Sequence, residues 1–306
     1  MKILLTGGTG FIGRELLKQL TTHEVTVLTR SPSRARQVLA HLKQGNLSFI
    51  DSLDDFHDLN PFDAVINLAG EPIADKRWTD TQKSLICESR WQLTEQLVAL
   101  IHASTAPPSV FLSGSAVGYY GDQQAHPFDE SLQVQSNDDF AHQVCARWEQ
   151  IALRAQSQHT RVCLMRTGIV LGLDGGALKK MLPPYRLGLG GPIGTGKQYM
   201  PWIHLMDMVR AIVYLLDTEH AQGVFNFTAP HPVTNTLFSQ TLARCLRRPH
   251  VLFTPAWAMK LVMGESATLL FDSIRAKPKK LTELGFTFQY SRLEPALKHL
   301  LQPVGR

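Results

Sequence analysis

The chain has 306 residues, 44% hydrophobic and 19% charged, which excludes a wholly disordered or fibrous protein. No apolar run reaches the roughly 18 residues of a membrane span. Its 31 Lys and Arg against 26 Asp and Glu leave a net charge of +5, without the concentrated basic block of a nucleic-acid binder. Neither nucleic acid nor a membrane is therefore expected as a partner. The four cysteines, Cys87, Cys145, Cys163 and Cys245, form no CxxC pair and no zinc spacing, so no metal site is expected. The opening apolar run is cut off by Gly7 and Gly8, too early for a signal peptide. The reading is a cytoplasmic protein with reduced thiols.

In chain order, residues 2–6 read as a strand ending at glycine, and 11–21 carry apolar residues at helical spacing. A second strand follows at 25–29, then a helix from Pro32 to about residue 42, with proline suited to its first turn. Strands at 47–50 and 64–68 precede a long helix at about 79–103. Pro107 and Pro108 end that helix before a strand at 110–112, and a helix at 140–155 leads into a strand at 161–166. This alternation predicts an α/β fold, a Rossmann-type doubly wound parallel sheet with helices on both faces. Ligands bind such sheets at the carboxyl ends of the strands, where the strand order reverses.

The second half is less regular. Residues 187–197 are glycine-rich, a helix is expected at 206–216 and a strand at 224–227. From about Pro232 the pattern is mainly helical. This divides the chain into a dinucleotide-binding domain, 1–230, and a smaller, mainly helical C-terminal lobe, 231–306. Residues 173–204 are expected to contribute to the substrate cleft.

The strongest motif is Gly7-Gly8-Thr9-Gly10-Phe11-Ile12-Gly13, placed between a strand and a helix. Gly7 allows the sharp turn, Gly10 lets the backbone approach a pyrophosphate, and Gly13 lets the helix pack on the strand. The helix N-terminus then offers free N–H groups and partial positive charge to the phosphates. A carboxylate after the second strand would favour NAD. This chain has Arg30 and Ser31 there, with Arg34 one turn on. Guanidinium groups favour a 2′-phosphate, so NADP(H) is expected over NAD(H). Residues 191–197 imitate a P-loop, but Gln198 stands where Mg²⁺ needs Ser or Thr and no helix is predicted to follow. An NTPase is rejected, and Lys197 or Gln198 is left as a ligand contact.

The GxxGxxG spacing resembles the short-chain dehydrogenase/reductase superfamily. Asn67-Leu68-Ala69-Gly70 is similar to its NxAG motif, which implies that Leu68, Ala69 and Gly70 line the adenine side of the cofactor. Ser113-Gly-Ser115-Ala-Val-Gly-Tyr119-Tyr120-Gly121 resembles the SSxxVYG segment of the extended subfamily, with Ser115 the best match for its catalytic hydroxyl. Residues 165–172, including Ile169 and Val170, look like the strand beneath the nicotinamide, and Ile203-His204-x-x-Asp207 is similar to the subfamily's IHVxD segment. With the glycine-rich 187–197 stretch and a C-terminal Arg275-x-x-Pro278, these features resemble the "epimerase family protein" branch over the full length. In that branch Arg90 is an expected cofactor contact.

One family motif is missing. Active members carry YxxxK, whose lysine lowers the tyrosine pKa for proton transfer. If Glu149 matches the family's later glutamate, Ala141 stands at the tyrosine and Cys145 at the lysine. The proton then falls to Tyr119, Tyr120 or His142. The resemblance implies an NADP(H)-binding oxidoreductase or nucleotide-sugar-epimerase-like enzyme acting on a small carbonyl or alcohol. A non-catalytic NADP(H)-binding sensor is the alternative, and the long helix leaves a homodimer open.

Overall fold

The computed structural model describes residues 1–42 and 46–302. Seven parallel strands form the central sheet: β1 (Lys2–Thr6), β2 (Glu24–Leu28), β3 (Leu47–Ile50), β4 (Ala64–Asn67), β5 (Val110–Ala116), β6 (Arg161–Thr167) and β7 (Gly223–Phe227). Their spatial order is β7-β6-β5-β4-β1-β2-β3. The order reverses between β1 and β4, so a crevice opens beyond the carboxyl ends of those two strands.

Both faces of the sheet are covered, and single strands divide their side chains between them. Ile3 and Leu5 enter one core with Leu16, Leu17, Val209 and Ile212. Leu4 enters the other with Leu97, Val98, Ile151 and Ala152. Strands buried on both faces read as continuous apolar runs, which is why β1, β4 and β6 were visible without alternation. Helices α1 (Phe11–Leu17) and α2 (Pro32–Val38) back the first face, and α3 (Asp80–Ala103) and α4 (Phe140–Leu153) the second.

Helices α1 and α2 stop four residues before the spacing suggested. Strand β5 runs four residues further than expected, through Ser113-Gly-Ser-Ala. These residues have weak strand propensity, but β5 pairs with β6 from Val110 opposite Arg161 to Ala116 opposite Thr167. That ladder overrides local preference, and it puts Ser115 on a strand.

The second half adds α5 (Gly176–Arg186), α6 (Leu205–Asp217), α7 (Asn235–Cys245) and α8 (Ala256–Met263). The sequence reading missed α5, because Pro183 and Pro184 lie in its last turn. Short paired strands, Ile169–Leu171 with Trp202–His204, carry the chain over the sheet edge.

The C-terminal residues are tied down through the Ile203-His204-x-x-Asp207 segment. His204 Nδ1 accepts from Met206 N at 3.0 Å and caps α6. The buried Asp207 carboxylate accepts from Gln289 N and Tyr290 N at 2.9 and 2.7 Å, and pairs with Arg210 at 2.8 Å. The His204 ring stacks on Tyr290, and its Nε2 meets His299 Nδ1 at 3.2 Å. Leu281 and Phe286 join the first core, while Phe238, Leu293 and Leu297 share a third with Leu171, Leu182 and Trp202. Residues after 231 thus share cores with residues before it.

Candidate functional site

The crevice is built of backbone. Gly7 has φ +73°, and a Cβ there would lie 2.8 Å from the Leu68 carbonyl carbon. A Cβ on Gly13 would come within 2.7 Å of Gly8 Cα and overlap the Gly7 carbonyl oxygen. The turn therefore admits no side chain at either position. Gly10 is the N-cap of α1 and has no side chain to close the helix end. Thr9, Phe11 and Ile12 are half-buried around it. The Phe11 ring is enclosed by Gly172, Gly175 and Gly176, where added Cβ atoms would come within 2.6 to 3.1 Å of it. Sequence reading found Gly7, Gly10 and Gly13 but gave no role to this second glycine group, whose spacing was its only signal.

Asn67 holds the two walls together. Thr6 Oγ1 donates to Asn67 Oδ1 at 2.6 Å and accepts from Ala69 N at 3.1 Å. Asn67 Nδ2 and Trp148 Nε1 both donate to Thr94 Oγ1 at 2.9 Å, joining α3 and α4 to the crevice wall. Leu68, Ala69 and Gly70 continue from Asn67 along this wall. A Cβ on Gly70 would sit 2.8 Å from Arg90 Cζ, so the guanidinium would have to move aside. Arg90 Nη1 donates to the Glu71 and Ile86 carbonyls at 3.0 and 2.9 Å, and the guanidinium lies over Trp148. Burial pulls its pKa below the ordinary arginine value. It has no carboxylate ion pair among the described residues.

Arg30 and Arg34 are exposed beyond β2, and neither side chain bonds a protein group among the described residues. Ser31 caps α2. Ile169 is half-buried and Val170 buried on the sheet-edge crossover. A dinucleotide fits this crevice: the turn is open where a Cβ would fill it, a helix N-terminus faces it, and two arginines stand unpaired at one end.

Next to the crevice is a buried chain of side chains. Asn67 of β4 pairs with Ser113 of β5, so Ser115 lies just past the end of β4. Ser115 Oγ donates to Glu149 Oε1 at 2.6 Å. Glu149 accepts a bidentate pair from Arg166, Nε at 2.8 Å and Nη2 at 2.7 Å. All three residues are buried. Burial opposes the charge on Arg166, but the hydrogen bonds and charge of Glu149 outweigh it and hold the pKa above the ordinary arginine value. The Arg166 guanidinium lies 3.4 Å from the Tyr119 ring centroid and 4.7 Å from that of Tyr120. His142 Nδ1 is 2.6 Å from the Tyr119 carbonyl oxygen, so Nδ1 carries the proton and donates it there.

Ser115, Tyr119, Tyr120 and His142 are thus gathered around one ion pair that the sequence reading did not assign. Glu149 had served only as a motif marker, and Arg166 only as a strand residue. The available signal was an arginine inside the apolar run Leu164-Met165-Arg166, since a buried cation needs a partner. The four candidates differ in availability. Tyr120 is fully buried, donates to Asn226 Oδ1 at 2.8 Å, and is pushed up to about 12 by burial. Tyr119 is half-buried, and its hydroxyl bonds no protein group among the described residues. The His142 ring is buried, with only Nδ1 engaged. Ala141 faces Gly118, and Cys145 is a buried thiol pushed up to about 12 by burial. Neither replaces the missing tyrosine and lysine.

Gln198 spends its amide on the Ile193 and Leu270 carbonyls at 3.1 and 3.0 Å, while Lys197 is exposed. Tyr199–Met200, a strand, follows them, which removes the helix a P-loop requires. No group of metal-ligating side chains occurs among the described residues. No helix among them is long and apolar enough to cross a membrane.

The model of the NAD dependent epimerase/dehydratase family matches residues 3–227, and a domain of unknown function, DUF1731, matches 254–300. The chain is 40% identical over 304 residues to an epimerase family protein of Staphylococcus haemolyticus, covering 98% of this chain and 99% of that one. It is 39% identical over 306 residues to the chloroplastic SDR39U1 homolog of Arabidopsis thaliana, covering 99% and 87%. The crystal structure of human epimerase family protein SDR39U1 with NADPH superposes with a TM-score of 0.89 at 34% identity, over 98% and 99% of the chains. The family model over residues 3–227, the relatives' identity and the fold match over nearly the whole length place this chain in the NAD dependent epimerase/dehydratase family.

Proposed function

We propose that the chain is an NADP(H)-dependent oxidoreductase or epimerase-like enzyme acting on a small carbonyl or alcohol substrate. The observation that carries this reading is the Ser115–Glu149–Arg166 chain beside the crevice, with the free Tyr119 hydroxyl next to it. Gly7, Thr9, Gly10, Phe11, Ile12 and Gly13 would hold the pyrophosphate. Leu68, Ala69, Gly70 and Arg90 would line the adenine side, and Ile169 and Val170 the nicotinamide. Arg30, Ser31 and Arg34 would take a 2′-phosphate, and the NADPH in the human relative's structure supports that choice. A bound nicotinamide dinucleotide supplies hydride exchange.

The chain's own residues do the rest. Ser115 Oγ, its proton held by Glu149, orients the substrate hydroxyl by accepting from it. Tyr119 exchanges the proton, because Tyr120 is committed to Asn226. His142 braces Tyr119 through its carbonyl.

Titration with NADPH and NADH followed by fluorescence tests the first half of the proposal. NADPH-selective binding is expected, and binding of neither cofactor ends it. Loss of NADPH absorbance across carbonyl and sugar-nucleotide substrates tests the second half. Once a substrate is found, Tyr119→Phe is expected to lower turnover about 100-fold with NADPH affinity unchanged.

Ala141 and Cys145, which stand at the YxxxK positions if Glu149 sets the register, favour a second reading, a cofactor-binding sensor. Selective NADPH binding with no turnover on any substrate would support it.

A further inference from the structure

We propose that the surface formed by residues 187–189 and 251–262 is a peripheral docking face for an anionic lipid bilayer. Thirteen large hydrophobic residues are exposed in the described chain, and eight of them lie in these two segments. Val251 is 82% exposed, Leu187 74% and Trp257 69%, with Phe253, Leu261 and Val262 close behind. Helix α8 buries none of its residues. Trp257 and Leu261 are four apart and share one side of it.

The two segments lie side by side. Thr254 N donates to the Pro192 carbonyl at 2.8 Å, and Gly194 N donates to the Thr254 carbonyl at 2.9 Å. An added Cβ on Gly188 would touch the Pro249 ring. The apolar residues therefore gather on one region. Scattered exposed leucines need no explanation, but a gathered patch does.

Charge identifies the occupant. No Asp or Glu occurs from residue 175 to 206 or from 220 to 264, and these stretches hold eight Lys and Arg. All eight are exposed; Lys180 and Arg244 pair with Asp75 and Glu294, and Arg186, Arg247, Arg248 and Lys260 adjoin the apolar residues. The two stretches account for more than the chain's whole positive excess. An apolar patch with a cationic surround and an exposed tryptophan suits the interface of an anionic membrane. A second copy of the chain would bring two cationic surrounds together. The expectation of no membrane partner rested on the absence of a spanning run, and a surface helix needs no such run.

The test is co-sedimentation of the whole chain with vesicles of phosphatidylcholine alone and of phosphatidylcholine with phosphatidylglycerol. Binding to the anionic vesicles is expected, weakening as salt rises, with little binding to the neutral ones. The double variant Trp257→Gln/Leu261→Gln is expected to lower partition at least tenfold. Arg247→Gln/Arg248→Gln is expected to lower it about tenfold or more. Unchanged thermal unfolding of both variants would show that the fold survives. The proposal is overturned if neither vesicle binds, if both bind equally, or if the Trp257/Leu261 variant binds like the parent. It is also overturned if light scattering finds a dimer that Trp257→Gln dissociates.

Discussion

The glycine crevice and the Ser115–Glu149–Arg166 chain are adjacent, but they are made in opposite ways. The crevice depends on atoms that are absent: Gly7 and Gly13 leave no room for a Cβ. The neighbouring chain depends on charged atoms taken out of water and paired. The crevice is set by a few consecutive residues and one turn. The ion pair joins α4 to β6 and reaches back to β5, so it exists only after the sheet and its helices have assembled. A site of the first kind fails when something is added, and one of the second kind when something is removed.

The largest expected effect falls on the ion pair. Arg166→Met or Glu149→Gln leaves its buried partner uncompensated and should cost about 3–5 kcal/mol of stability, measured by denaturant unfolding. The double change Arg166→Met/Glu149→Leu should recover much of this loss, since packed apolar groups commonly replace buried pairs. If the single and double variants are equally unstable, the pair is not what holds this region.

Next is the crevice. Gly7→Ala places a Cβ 2.8 Å from the Leu68 carbonyl carbon, forces backbone apart, and should cost about 1–3 kcal/mol and abolish measurable NADPH binding. Gly121→Ala is the control. Gly121 also has positive φ, at +61°, but nothing lies within 4 Å of its added Cβ. It should cost only the backbone strain of about 1–3 kcal/mol and leave binding intact. Equal loss of binding in both would mean that backbone strain, not close approach, governs the turn.

Arg30→Ala is expected to weaken NADPH by about 1–3 kcal/mol while leaving NADH nearly unchanged. Equal weakening of both would remove the argument for the 2′-phosphate.

The smallest effect concerns the C-terminal anchor. Burial, with the charge of His299 adding to it, holds His204 down to about 3 from 6.5. Its folded pKa is depressed, so the unfolded chain binds the proton more readily between those values. The anchor's contribution is complete above about pH 6.5 and is lost progressively as pH falls toward 3. One pH unit below 6.5 should cost about 1 kcal/mol. His204→Asn, which can still cap α6, should flatten that dependence in urea titrations at pH 7 and 5.5. An unchanged slope would shift the effect to other groups.

Much of this was legible in the sequence because the information is local. The strands β1, β4 and β6 appear as apolar runs, and the seven residues from Gly7 to Gly13, between a strand and a helix, mark the crevice. The family motifs Asn67–Gly70 and Ile203–Asp207 were equally visible, although their physical work was not. Asn67 bonds Thr6 and Thr94, and Asp207 bonds Gln289 and Tyr290, partners far away in the chain. Helix α5 was hidden by its own prolines. The extension of β5 was hidden because Ser113-Gly-Ser-Ala becomes a strand only beside β6.

The existence and apolar character of most strands, the glycine turn and the arginines after β2 follow from residues close together, through hydrophobic pattern and backbone freedom. Tertiary structure decided which side chains share a site. It brought Arg166 to Glu149, turned Ser115 toward that pair, bound Tyr120 to Asn226, and left the Tyr119 hydroxyl without a protein partner among the described residues. No spacing rule contains those outcomes. A buried charge must find its partner across the fold, and the distance between them is fixed only when the elements carrying them have packed.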